Sequence, residues 1–280
     1  MAAANTGNSN HSVDRLNKME LYGTYTKNTN EVKSLYQGVE QLALGGTSRT
    51  AIVAEVGKPY GAFFAVDLMH VNQSDPNSPV VVDSTTGMPL TTADLVYVGN
   101  YQPDFIASFG GNFKFKGFTL GVLFDVKSGG KFSSRTKDVM DFVGTTKETT
   151  ENGRQDYVWP NSVYQRASDG AYVTNTSQKV HPYDYYTNVI PEGRHIIDAS
   201  YTKLREVSLS WDLPAKWLDK TPFGSASLAV FGNNLIIWTP DENQYADPEQ
   251  NSAGSSNTQG FEFSSNPSQR NYGIDLRITF

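Results

Sequence analysis

Apolar and polar residues alternate without error through the closing stretch NYGIDLRITF: Tyr272, Ile274, Leu276, Ile278 and Phe280 share one face, and Asn271, Gly273, Asp275, Arg277 and Thr279 the other. Alternation of period two is the mark of a β-strand with two chemically different faces. The same test on GFTLGVLFDVK sets Phe118, Leu120, Val122, Phe124 and Val126 against Thr119, Gly121, Asp125 and Lys127, with Leu123 out of place. Upstream, Phe105, Ala107, Phe109, Gly111, Phe113 and Phe115 alternate with Asp104, Ser108, Gly110, Asn112 and Lys114. The two runs meet at Lys116-Gly117, which predicts a tight hairpin with glycine at positive φ. Val207, Leu209, Trp211 and Leu213 form a further strand closed by Pro214, AKWLDK predicts one helical turn, and SASLAVFGNNLIIW opens the next strand. Weaker alternations at Met19 to Lys27 and Tyr60 to Val71 bring the expected number of strands to about seven.

These runs are about 9 to 14 residues long, whereas sandwich strands average five or six, and that length suits a tilted crossing of a bilayer. Long polar stretches, about 73–101, 133–198 and 240–269, separate some strands, while Lys116-Gly117 and the segment after Pro214 are short. Long and short connections on opposite ends are the pattern of an outer-membrane barrel, although the gap at 29–59 breaks it. Aromatics near strand ends, Tyr60, Tyr101, Phe115, Phe118, Trp211, Trp238 and Tyr272, suit an interfacial girdle. The expected fold is therefore all-β: an antiparallel up-and-down segment of a transmembrane β-barrel, forming an open curved sheet. Tyr272, Ile274, Leu276, Ile278 and Phe280 are expected to face lipid. The alternative is a secreted or surface carbohydrate-binding β-sandwich.

Composition narrows the chemistry. A net charge of −6, spread without basic blocks, argues against a nucleic-acid surface, and the absence of cysteine excludes disulfides and thiolate metal sites. No run of about 18 apolar residues exists for a transmembrane helix, and MAAANTGNSNHSVDRLN lacks the basic start and apolar core of a secretory signal. SGGKFSS fails as a phosphate loop because Asp125 stands where the first glycine is required. His11, His70, His181 and His195 are far apart and show no metal-like pairing, so they are expected to be solvated loop residues, and neither a metal nor another cofactor is expected. Asp241, Glu242, Asp247 and Glu249 could form a glycosidase pair only at a separation of about 5 to 9 Å on a rigid support, and in a loop solvation is the better reading. The chain is not expected to be an enzyme. Tyr157, Trp159, Tyr164, Tyr172, Tyr183, Tyr185 and Tyr186 crowd one long loop, where flat rings beside Asn and Asp could hold a sugar face. Trp159, Tyr183 and Tyr186 are the first candidates for solute contact.

The phrases GKPYGAFFAVD, VGNYQPDF, FKGFTLGVLFDVKSGGKF, ASYTKLREVSLSWDLPAKWL, LAVFGNNLIIWT and ADPE, followed by the terminal strand, together resemble the C-terminal third of SusC-like TonB-dependent outer-membrane transporters. The resemblance runs from about Lys27 to Phe280, and 1–18 match poorly and are expected to be a tail. It implies a plugged barrel of about 22 strands importing oligosaccharides or peptides beneath a SusD-type lipoprotein lid. It also implies engagement of the TonB complex through an N-terminal part missing here, and reading of the terminal strand by the barrel assembly machinery. Asp247-Pro248-Glu249 matches a loop phrase of the family, which implies a structural role. Seven strands ending in the periplasm would start outside, so strand parity predicts at least one missing strand, and fewer than about eight strands would leave unpaired edges.

Overall fold

The computed structural model describes residues 17–280 apart from Ser255. Its largest sheet has six long strands: β1 (Asn17–Thr26), β2 (Phe105–Phe115), β3 (Phe118–Ser128), β4 (Tyr201–Asp212), β5 (Ser225–Trp238) and β6 (Asn271–Thr279). Each pairs antiparallel with the next in chain order, giving an up-and-down sheet with unpaired outer edges on β1 and β6 among the described residues. The fold class expected from the sequence is found. Most of the 1–18 stretch lies outside the described residues; Asn17 and Lys18 begin β1.

Register carries the apolar pattern across the whole sheet. Met19 pairs with Phe113, Phe113 with Leu120, Leu120 with Leu209, Leu209 with Val230, and Val230 with Ile274. One row nearer the short turns, Phe115, Phe118, Trp211, Leu228 and Leu276 are aligned in the same way. These side chains are exposed or half-buried, reaching 76% for Ile274 and 61% for Leu276. A β-sandwich would bury this face under a second sheet, and among the described residues no second sheet covers it. On the other face, Ser108 donates to Asp125, Lys114 pairs with Asp212 at 2.6 Å, and the ring of Phe231 lies across Gly273, where a Cβ would come within 2.4 Å of it. The hairpin between β2 and β3 turns on Lys116 and Gly117, both at positive φ, as the sequence requires.

Among the described residues the wall has six strands rather than seven. Tyr60 to Val71 does not enter the wall: only Ala62–Ala65 is extended, within a separate sheet with Gln41–Gly46, Thr50–Glu55 and Val96–Asn100. Ala62, Phe63 and Ala65 are all fully buried, so this short strand is covered on both faces and its apparent alternation has no solvent side. Removing it repairs the loop pattern, because the connections 27–104, 129–200 and 239–270 are all long and lie at one end, while 116–117 and 213–224 are short and lie at the other. It also removes the parity argument. With six strands, Asn17 and Thr279 lie at the same rim, so incompleteness of the barrel rests on the strand number and the unpaired edges alone.

The three long connections bury their apolar groups together. Ile52, Phe63 and Ala65 from the first pack with Ile196 from the second and Phe261 from the third. Strand Lys131–Ser134 lies between Ile196–Asp198 and Phe261–Glu262, joining the second and third connections by backbone bonds. A second core gathers Leu68, Val80 and Val82 with Val180 and Tyr185. The result is a folded cap on one end of the wall. Among the described residues no helix is long and apolar enough to cross a membrane, which leaves crossing by strands open.

Candidate functional site

The polar face of the wall and the underside of the cap meet at a charged cluster. Lys203 on β4 is buried and donates to both oxygens of Asp247, at 2.8 and 2.7 Å, and also to Glu249. Arg205 bonds Asp125 of β3 and Glu249, and reaches Asn234 of β5 at 3.1 Å. Tyr201 donates to Glu249 at 2.7 Å. Burial works to raise the Glu249 carboxyl, but the bonds from Arg205, Lys203 and Tyr201 outweigh it and hold the group down to about 2. Where a loop predicts solvated carboxylates, Asp247 is buried and Glu249 only partly solvated, and both lock the 239–270 connection to the wall, in keeping with the structural role the family phrase implied. Asp241 and Glu242 are exposed, and Glu242 accepts from the Asp198 amide at 2.5 Å and pairs with Lys131 at 3.4 Å. The lowered carboxyl of Glu249 is the opposite of the raised one that a glycosidase acid requires.

The cluster depends on a β-bulge. The pairing of β4 with both neighbours shifts between Leu204 and Glu206, and this change of phase sets Lys203 and Arg205 on the polar face, although an unbroken alternation from Val207, Leu209 and Trp211 would have put them on the apolar one. Sequence reasoning began this strand at Glu206 and missed both cations. The available signal was the break of phase in TKLREVSL, where the apolar positions change from Leu204 to Val207.

Higher in the cap, helix Arg135–Phe142 is capped by Ser134, which accepts from the Lys137 amide at 3.1 Å. Its buried Asp141 takes Lys137 at 2.8 Å and the Thr146 hydroxyl, and lies 3.2 Å from His195 Nε2, off the direction a hydrogen bond needs. Burial acts to raise Asp141, but His195, Lys137 and Thr146 together leave its carboxyl below the usual range. His195 is therefore a buried partner of carboxylates rather than the solvated loop residue expected. Glu262 is buried and accepts from Ser134, from the backbone and hydroxyl of Thr136, and from the Ser265 amide at 2.7 Å. No cluster among the described residues has three groups suited to a metal.

Of the three aromatic candidates, the structure brings two together. Tyr183 and Tyr186 line one cavity of about 200 Å³ with Arg154, His181, Phe142 and Thr187. Tyr183 is exposed, while Tyr186 stands edge-on to Tyr185 at 4.9 Å and its hydroxyl is pushed well up by burial. Trp159 does not line this cavity; it is stacked with Tyr157 at 5.9 Å and edge-on to Tyr185 at 4.7 Å, in the second core on which Tyr186 also packs. Tyr157 is pushed up to about 12 by burial. A larger cavity of about 410 Å³ lies under the 239–270 connection, between Thr136, Ile237, Tyr245, Asp247, Glu262 and Ser265.

Long up-and-down strands, an apolar face that no second sheet covers among the described residues, and a folded cap over the polar face are the architecture of a segment of β-barrel wall with its loops. Comparison with known proteins gives that class a narrower name. The chain is 25% identical over 251 residues to TonB-dependent receptor P3 of Formosa agariphila, covering 83% of the chain and 23% of the relative. It is 24% identical over 197 residues to TonB-dependent receptor P26 of the same organism, covering 68% of the chain and 18% of the relative. Among solved structures it is similar to the RagAB peptide transporter, with a TM-score of 0.59 at 14% identity, covering 96% of this chain and 28% of that one. It is also similar to the RagAB peptide importer in its closed-closed state, with a TM-score of 0.56 at 15% identity over 96% of this chain and 28% of that one. No family model matches the chain. These findings bear out the resemblance to TonB-dependent transporters read from the sequence, and the chain spans about a quarter or less of the length of the curated relatives it matches. The named relatives are receptors and transporters, in agreement with the expectation that the chain is not an enzyme.

Proposed function

We propose that this chain supplies wall strands, cap loops and one solute-contact site to a TonB-dependent outer-membrane importer of large nutrients. The observation that carries the proposal is the apolar face running in register through all six strands from β1 to β6, with large apolar side chains exposed on every one of them. Strands of 9 to 14 residues rise about 3.3 Å per residue and at barrel tilt span roughly 23–35 Å, enough for the apolar band of an outer-membrane barrel. Tyr272, Ile274, Leu276, Ile278 and Phe280 then face lipid, and the cluster around Lys203 and Arg205 faces the lumen. The cap lies outside the cell, with a SusD-type lipoprotein as its lid, and the rest of the receptor engages the TonB complex.

Tyr183 and Tyr186 are the solute contacts, and Trp159 holds the loop that carries them. Oligosaccharide is the solute class that stacked rings beside polar groups fit. Peptide is the second reading, favoured by the RagAB peptide transporter among the solved structures. Titration of the full-length receptor with defined oligosaccharides and with peptides of similar size separates the two. Tyr183→Ala should weaken binding of the true solute about tenfold, on the scale of one lost aromatic stack together with its buried area. Unchanged affinity in Tyr183→Ala and Tyr186→Ala would remove the site from consideration, and recovery of the receptor in the soluble fraction would remove the importer reading.

A further inference from the structure

The short connection 213–224, between β4 and β5, is folded against the outside of the wall. Its helical turn Ala215–Leu218 packs on β5; Leu218 is buried, while Lys216, Trp217, Asp219 and Lys220 are exposed. The wall beneath shows the cover. Ala226 and its partner Ile278 belong to the same apolar face as Leu228 and Leu276, yet Ala226 is buried and Ile278 half-buried where the other two are exposed. Trp217 stands edge-on to Trp211 at 5.3 Å, and Trp211 stacks on Phe118 at 5.7 Å, both on the apolar face. Phe223 and Phe280 meet at 5.3 Å on the same rim. Although held by these contacts, Trp217 is 62% exposed.

We propose that this turn is a membrane-interface anchor, with Trp217 inserted at the headgroup and glycerol level of the leaflet on the short-turn side and Lys216 and Lys220 beside the phosphates. The proposal rests on the barrel reading above. An indole has an apolar body and one polar N–H, and lysine stems lie along apolar surface while their ammonium groups stay wet, so both suit this layer. The occupant follows from continuity: the ring extends the same aromatic column that begins on the membrane-facing wall. A turn folded toward the lumen would have left Ala226 and Ile278 as bare as their neighbours.

The absence of cysteine in the chain allows single-site labelling. Trp217→Cys, Ile274→Cys and Tyr36→Cys are made in the full-length receptor freed of any other cysteine, labelled with a nitroxide, and placed in phospholipid vesicles. Depth is read from collisions with oxygen and with a water-soluble nickel chelate. The label at 217 is expected within about 5–10 Å of the headgroup and acyl boundary, with 274 in hydrocarbon and 36 in water. Nickel accessibility at 217 equal to that at 36, while 274 remains in hydrocarbon, overturns the anchor and leaves the barrel standing. A label at 274 in water overturns both. If Trp217→Cys does not assemble, Ala215→Cys places the label on the same turn and is judged by the same outcomes.

Discussion

Replacing Lys203 with methionine tests whether the charged cluster is what fastens the cap to the wall. Lys203 is buried between Asp247, whose side chain is 6% exposed, and Glu249, which is 32% exposed. Lys203→Met keeps most of the volume and leaves Asp247 without a cation. Breaking a buried pair by removing one partner costs about 3–5 kcal/mol, and the lower end applies because Glu249 keeps Arg205 and Tyr201 and is partly solvated. About 3 kcal/mol corresponds to roughly a hundredfold rise in the population of the opened connection. The wall itself is held by backbone ladders that Lys203 does not supply, so the effect is local. Hydrogen exchange on the protein in detergent should therefore show amides in 243–250 exchanging about a hundredfold faster, with β3, β4 and β5 unchanged. Adding Asp247→Asn should recover much of the loss, since a neutral amide needs no cation, giving a coupling of about 2 kcal/mol. Equal exchange in Lys203→Met and the parent protein would show that apolar packing, not the cluster, holds the cap.

Two further outcomes follow from the same geometry. The Glu249 carboxyl is lowered from 4.5 to about 2, so its contribution to docking is complete above about 4.5 and is lost as pH falls through about 2. Protection of 239–270 from an acid protease should persist at pH 5 and decline only toward pH 2; loss near pH 6 would contradict the cluster. On the wall, Leu120→Lys places a charge amid the apolar row and should cost about 2–4 kcal/mol of folding into vesicles, whereas Thr119→Lys, on the opposite face, should cost little. Equal costs would mean that the face is not in lipid.

The reach of the sequence differed between wall and cap for a physical reason. A wall strand has one apolar and one polar face, so every second residue reports its side, and β2, β3, β5 and β6 are legible from their own residues. Ala62–Ala65 is covered on both faces, carries no such signal, and passed for a wall strand. Asp247 and Glu249 show the same limit in the site. Their partners, Lys203 and Arg205, lie more than forty residues away, and only the bulge turns both cations inward. Tyr183 and Tyr186 were legible as exposed-loop aromatics by composition, but which rings share a cavity depended on the packing of Trp159, Tyr157 and Tyr185.

Taken alone, the sequence determined the strand faces, the tight hairpin at Gly117 and the resemblance to TonB-dependent transporters, because these rest on local periodicity and on ordered phrases. Tertiary structure decided which strands form the wall, how three long connections build one cap, what neutralises Asp247 and Glu249, and on which side of the wall Trp217 lies. Each of these depends on pairing between residues far apart in the chain, and period-two alternation, being local, holds no record of the partner.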